Sequence, residues 1–132
     1  MSEVTVQVET EIYPTEDEEA VKAAVNNIIS GANITIKPAQ KGSTLYAEAK
    51  GQQSLIQFRK LLRQDRIRDA ARKLLFRAIR GETICFYLNK QVASAGHISF
   101  SEETAESPLG PIKVTITTEN PRELVERLAQ KT

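Results

Sequence analysis

Residues 3–12 read EVTVQVETEI, and their alternation predicts the first strand of the fold. Valine, threonine or isoleucine stands at every second position, with glutamate, threonine or glutamine between them. Because successive side chains of a strand point to opposite faces, one face of this strand lies in a core and the other in water. A sheet with one wet face needs a covering layer on the other face only, which predicts helices packed on one side.

The rest of the chain alternates between strand and helix patterns in the order β-α-β-β-α-α-β-α-β-β-α. Strand pairs joined by short turns predict an α+β fold with a largely antiparallel sheet of five or six strands, similar to an RRM. A single domain spanning residues 1–132 is expected at this length. The later strands are predicted at 33–37, 44–50, 83–88, 97–100 and 112–118.

Polar residues and glycine predict where the helices begin and end. Thr15 with Glu18 has the spacing of a capping box for the first helix. Ser54 is the expected cap of the second helix. The apolar stripes before and after Asp65 point in different directions, so the helical region 54–80 must break there. Asp65 is then expected to cap a third helix that ends at Gly81.

Composition excludes several kinds of catalytic and metal site. One cysteine and one histidine cannot form a four-ligand zinc site. Phosphate loops, dinucleotide fingerprints and nucleophile elbows are missing from the sequence. Cys85 and His97 are expected to pack as ordinary residues, and the group Glu102, Glu103 and Glu106 to be solvated. We therefore predict a protein that is not an enzyme, with no catalytic residue, metal, cofactor or small-molecule substrate.

The beginning of the chain has no signal-peptide pattern, and the sequence has no apolar run long enough to span a membrane. A cytoplasmic location without membrane contact is the corresponding expectation.

Charge is distributed unevenly although the whole chain has a net charge of only +1. Residues 54–80 contain nine basic residues against Asp65 and Asp69, a net charge of +7. At about 100° per residue, four of the nine lie on one side of the last predicted helix in this region: Arg66, Lys73, Arg77 and Arg80. Seven of the nine are arginines, whose planar fork suits phosphate. The candidate RNA- or anion-binding residues are Arg59, Arg63, Arg66, Lys73, Arg77 and Arg80.

The same basic residues admit a second interpretation. Residues 1–21 contain seven acidic residues and no basic one, so the basic helices could pair with this segment of the same chain. A solvated amphipathic face is equally compatible with the pattern. Whether the basic side chains face outward or inward stays open at this point.

Exposed strand aromatics would be a second sign of RNA binding. Tyr46 and Tyr87 lie on the outward phase of their strands and form the candidate stacking pair. The aromatic strand motif of RRM domains is missing, which favours sheet packing or a dimer contact for these tyrosines.

Several segments resemble an archaeal family of uncharacterised proteins. They are IRDAAR at 67–72, LNKQVA at 88–93, GHISF at 96–100 and ESPLGPI at 106–112. The resemblance covers nearly the whole chain. It implies a five-stranded antiparallel sheet with helices, like the RNA-binding domain of large-subunit ribosomal protein five, and it suggests homodimers. Two functions follow as hypotheses: an RNA-binding accessory protein that uses the Arg-rich helices, and a homodimeric protein-interaction module without RNA-binding activity.

Overall fold

The computed structural model describes residues 3–101 and 110–130. Within these residues the fold is a seven-stranded antiparallel sheet with five α-helices and one 3₁₀ turn at Gln52–Leu55. The strands are β1 (Thr5–Ile12), β2 (Asn33–Pro38), β3 (Ser43–Lys50), β4 (Ile79–Arg80), β5 (Thr83–Asn89), β6 (Phe100–Ser101) and β7 (Pro111–Thr117). The helices are α1 (Glu18–Ile28), α2 (Ile56–Gln64), α3 (Arg68–Arg77), α4 (Lys90–Ser94) and α5 (Pro121–Leu128).

The strands lie in the order β2-β3-β1-β7-β5-β4, and β6 also pairs with β5. All pairs are antiparallel, which confirms the predicted α+β class, and β2 and β3 form one of the predicted strand pairs joined by a short turn. The two-residue strand β4 is the one addition to the predicted set. β6 also pairs with β5, so the two short strands β4 and β6 lie along the same edge of β5.

The core lies between one face of the sheet and the helices. In β1 the buried side chains are Val6, Val8, Thr10 and Ile12, and those between them are exposed or half-buried. The same alternation holds in β3, β5 and β7. This arrangement confirms the prediction of helices on one face only. The largest fully buried side chains include Phe58, Ile28, Ile29, Leu45, Leu62, Leu75, Ile84, Leu88, Ile112 and Ile116.

The predicted break between the two basic helices is confirmed, and its geometry is specific. The amide of Ile67 donates to the carbonyl of Leu62, and the amide of Arg66 donates to the carbonyl of Arg63. These two bonds form a Schellman motif, which ends α2 at Gln64. Arg66 takes the left-handed position of that motif with φ 57°, where glycine is usual.

Two predicted helix caps at the start of helices are wrong. Asp17, not Thr15, caps α1 and accepts from the amide of Glu19, because the chain at Pro14–Glu16 is still in a turn. Ser54 lies inside the 3₁₀ turn and donates to the carbonyl of Gly51, so it does not cap α2. In contrast, the side chain of Asn120 caps α5 before Pro121 and accepts from the amide of Glu123.

The two predictions for the ends of α3 are also wrong. Asp65 does not cap α3, because its carboxylate binds residues 97 and 98 instead. The helix ends at Arg77 rather than at Gly81, because Ile79 pairs with Ile84 in the sheet. Gly81, at φ 63°, forms the tight turn between β4 and β5, a conformation that suits glycine.

The strand predicted at 97–100 is shorter and shifted, since only Phe100 and Ser101 pair with β5. Residues 97 and 98 are instead held by Asp65, which explains the late start. The acidic group Glu102, Glu103 and Glu106 lies outside the described residues. Among the described helices, none combines the length and hydrophobicity that crossing a membrane would need.

Candidate nucleic-acid interface

The helix α2 carries three cations on the side opposite its buried side chains. Phe58, Leu61 and Leu62 are buried in the core. The exposed cations stand between and after them at positions 59, 60 and 63. We define the basic surface as these three residues together with the exposed cations at the junction and on α3: Arg59, Lys60, Arg63, Arg66, Lys73 and Arg77.

Only two of the four residues predicted to share a face of α3 belong to that helix. Lys73 and Arg77 are exposed and four residues apart, so they are neighbours on the helix surface. Arg66 precedes the helix and is exposed at the junction with α2. Arg80 lies in β4, and its Nη1 donates to the carbonyls of Arg77 and Ile79, both at 2.8 Å. Its guanidinium therefore caps the end of α3.

One arginine of the region is already paired. Nη1 and Nη2 of Arg72 donate to the two carboxylate oxygens of Glu126 at 2.8 and 2.6 Å, and Nη1 also reaches the carbonyl of Ala129. The bidentate contact with the Glu126 carboxylate raises the pKa of Arg72, although burial acts to lower it. Arg72 thus joins α3 to α5.

The acidic beginning of the chain does not cover the basic surface. Glu9 and Glu11 point to the open face of the sheet, which is the side away from the helices. Glu16 pairs with Lys90, and Glu19 pairs with Lys22. Within the described part of the chain, no acidic side chain forms an ion pair with any residue of the basic surface. These cations therefore face solvent.

The candidate stacking pair lies on the other layer of the molecule. Tyr46 pairs with Glu9, Glu9 with Lys113, and Lys113 with Tyr87, so both tyrosines belong to one row across four strands. Neighbouring strands are about 4.8 Å apart, which separates the two tyrosines by about 14 Å. Tyr46 is 39% exposed, whereas Tyr87 is half-buried. The structure does not bring either tyrosine together with the basic surface.

Asp65 and His97 form a contact that sequence reasoning missed. His97 Nδ1 lies 2.9 Å from one Asp65 oxygen, and the amide of Ile98 donates to the other at 2.9 Å. Burial acts to raise the pKa of Asp65, but these hydrogen bonds outweigh it and hold the pKa below its usual range. Cys85 lies on the open sheet face, where Thr115 donates to its sulfur. Cys85 and His97 therefore have separate partners.

Lys90 is the second residue that the sequence did not single out. Its side chain is 4% exposed, and its ammonium group reaches the carbonyl of Glu11 at 2.6 Å and both carboxylate oxygens of Glu16. This buried ion pair ties α4 to the turn between β1 and α1. No local signal marks it, because residues 89–95 are otherwise mostly small or polar.

Comparison with known proteins relates the chain to one group of archaeal proteins. A family model described as RNA binding matches residues 5–118. A UPF0201 protein of Sulfurisphaera tokodaii is 43% identical over 95% of this chain and 86% of its own length. One of Saccharolobus solfataricus is 40% identical over 98% of this chain and 89% of its own. The crystal structure of a UPF0201 protein from Methanococcus jannaschii has a TM-score of 0.84 and 29% identity, covering 95% of this chain and 98% of that one.

Proposed function

We propose that this chain, which belongs to the archaeal UPF0201 family, is a non-enzymatic RNA-binding protein. The basic surface would contact the phosphates of a structured RNA. The match to the RNA-binding family model extends over all six residues of that surface, from position 59 to position 77. The likeness to ribosomal protein five remains a prediction, and the proposal does not depend on it.

The observation that carries the proposal is the absence of acidic partners for six exposed cations within the described residues. Arg72, in contrast, is already paired with Glu126. An unpaired cluster costs electrostatic repulsion, and a polyanion would remove that cost. Four of the six are arginines, which can grip phosphate oxygens with two parallel hydrogen bonds.

The chemistry of the basic surface favours recognition of shape over recognition of sequence. Ile56 is the one large apolar side chain exposed beside this surface, 49% exposed, and the described residues around it are mostly cationic. Contacts of this kind position a protein on the RNA backbone and read no base edges. If the protein engages about six phosphates, a plot of log affinity against log salt concentration would have a slope of roughly −5.

The test is a binding titration with a labelled stem-loop RNA at two salt concentrations. The double variant Arg63→Glu/Arg77→Glu should bind more weakly. Each lost phosphate contact should reduce the affinity by about eightfold at about 0.1 M salt, and the affinity should depend less steeply on salt concentration. Lys41→Glu is the control, because it reverses an exposed charge in the turn between β2 and β3. No binding by the wild type at low salt, or equal weakening by the control, would contradict the proposal.

The homodimeric interaction module is the second hypothesis, and its dimer remains a prediction. β2 is the outermost strand of the sheet order, so its outer edge is unpaired within the described residues. An unpaired edge can accept a strand from a second copy. Sedimentation at high micromolar concentration decides the matter, because a monomer there counts against this hypothesis and leaves the RNA proposal untouched.

A further inference from the structure

The open face of the sheet holds a cavity of about 620 Å³ around Tyr46, on the side of the molecule away from the basic surface. This volume is within the usual range for sites that bind small organic groups. Its lining includes two lysines, two glutamates and two amides around the one exposed ring. They are Lys37, Lys113, Glu9, Glu48, Gln7 and Asn33.

Strand register fixes where these groups stand relative to the ring. Thr35 and Glu9 flank Tyr46 on the two neighbouring strands. Two residues further along β3, Glu48 is flanked by Asn33 and Gln7. The Tyr46 ring therefore has the Glu9 carboxylate on a neighbouring strand and the Glu48 carboxylate on its own strand. The amides that flank Glu48 lie on the two neighbouring strands.

The face of the Tyr46 ring is already used by a cation. Lys37 Nζ lies 5.4 Å from the ring centroid, in the position of a cation–π contact. A flat ligand that stacks on the ring would displace this ammonium group, which would remain close by on a long flexible side chain. Lys113 stands on the other side of Tyr46, beyond Glu9 in the same row. A lysine is thus available on each side of the stacking position.

We propose that this face binds one unpaired nucleotide of an RNA strand, with Tyr46 as the stacking platform and cytosine preferred to uracil. This inference rests on the proposed RNA-binding function. The two lysines on opposite sides of Tyr46 suit the phosphates before and after a nucleotide within a strand. The carboxylates of Glu9 and Glu48 accept hydrogen bonds from an amino group such as cytosine N4, and uracil offers an oxygen there instead.

Two features distinguish this site from the basic surface. Its lysines and glutamates balance in charge, so it has no excess of cations with which to hold a polyanion by electrostatics alone. Stacking and edge contacts would supply most of its affinity, with a weaker dependence on salt. Since the helix layer separates the two sites, mutations in one should add to mutations in the other.

The test measures binding of a labelled oligocytidine and of an oligouridine of equal length. Tyr46→Ala should weaken oligocytidine binding by about five- to a hundredfold, and Tyr46→Phe should retain most of the affinity. Glu48→Gln and Glu9→Gln should reduce the preference for cytidine, because an amide can also donate to uracil. Thermal unfolding of each variant shows whether the sheet is intact, and the cytidine preference of the two glutamine variants keeps the test valid if the alanine variant does not fold.

The outcomes separate this inference from the function on which it rests. If Arg63→Glu/Arg77→Glu weakens stem-loop binding while the Tyr46 variants leave oligocytidine binding unchanged, the nucleotide site is wrong and the proposed function stands. Equal affinity for oligouridine would overturn the cytosine assignment. Free cytidine monophosphate binding as tightly as the oligonucleotide would overturn the assignment to a strand. A dimer that Tyr46→Ala dissociates would place a second copy on this face and overturn the inference.

Discussion

Lys90 and Lys73 carry the same charge in opposite surroundings. Lys90 is buried and contacts a backbone carbonyl and both oxygens of Glu16, whereas Lys73 is exposed on α3 without an acidic partner in the described chain. A buried charge is kept only where partners compensate for the loss of water. An exposed cluster of unpaired cations needs no such compensation and stays available for a ligand. The first kind of charge supports the fold, and the second leaves the surface free to bind.

The largest effect should come from removing Lys90. Lys90→Ala leaves the Glu16 carboxylate buried without its cation, and breaking a buried pair of this kind costs about 3–5 kcal/mol. Urea unfolding monitored by circular dichroism measures the loss. Lys73→Ala is the matched control and should change the free energy of unfolding by less than about 0.5 kcal/mol. Equal losses in the two variants would contradict the claim that the buried lysine supports the fold and the exposed one does not.

Removing the Asp65 carboxylate should give the next largest effect. Asp65→Ala leaves the amide of buried Ile98 without its acceptor, which costs about 1–3 kcal/mol. Asp65→Asn should lose less, because its amide oxygen can still accept from Ile98. Chemical denaturation of both variants at neutral pH provides the measurement, and an alanine variant as stable as the wild type would contradict this role.

The same carboxylate predicts a dependence of stability on pH. Burial acts to raise the pKa of Asp65 in the folded protein, but hydrogen bonds from His97 and Ile98 outweigh it and lower the pKa. The unfolded chain therefore takes up this proton at a higher pH than the folded protein does. The stability that the Asp65 carboxylate contributes is fully present above the pKa of the unfolded state, about 3.9. It is lost as the pH falls through the pKa of the folded state. Acid should cost the wild type more stability than it costs Asp65→Asn, in unfolding curves measured from pH 6 down to about 3.

The fold was predictable because its signals are periodic and repeated. Three further strands, β3, β5 and β7, alternate in burial as β1 does, so errors at single positions cannot change the class. The cap prediction at Asp65 failed because distant partners compete for its carboxylate. Asp65 fits a helix cap by position, but residues 97 and 98 bind it from more than 30 residues away. Periodicity carries no information about such a distant partner.

The candidate site was predictable in charge but not in arrangement. The excess of cations in residues 54–80 is a property of composition, whereas the pairing of Arg72 with Glu126 depends on how α3 meets α5. The tyrosine pair illustrates the same limit. Whether Tyr46 and Tyr87 touch depends on which strands lie between them, and the sequence does not specify that β1 and β7 do.

Arg72 allows the comparison to be tested within a single helix. Its guanidinium is occupied by Glu126, so Arg72→Ala should change the affinity for the stem-loop RNA by less than about threefold. Arg77→Ala, on the same helix, should weaken it by about eightfold at about 0.1 M salt, the value of one phosphate contact. Titration of both variants with the stem-loop RNA under one condition measures the two losses of affinity. A larger loss than expected from Arg72→Ala would mean that paired cations also reach the RNA.

The smallest expected effect, at Arg66, separates function from stability most cleanly. A non-glycine residue in the left-handed region costs roughly 1–2 kcal/mol, and glycine would remove that strain while adding freedom to the unfolded chain. Arg66→Gly should therefore leave the protein equally stable or stabilise it by up to about 1 kcal/mol, whereas Arg66→Ala keeps the strain. Both variants should weaken stem-loop binding by a similar factor, because both lose one cation of the basic surface. A glycine variant that is more stable and binds less well would show that this arginine is retained at the cost of stability for its charge, and unchanged binding would remove Arg66 from the surface.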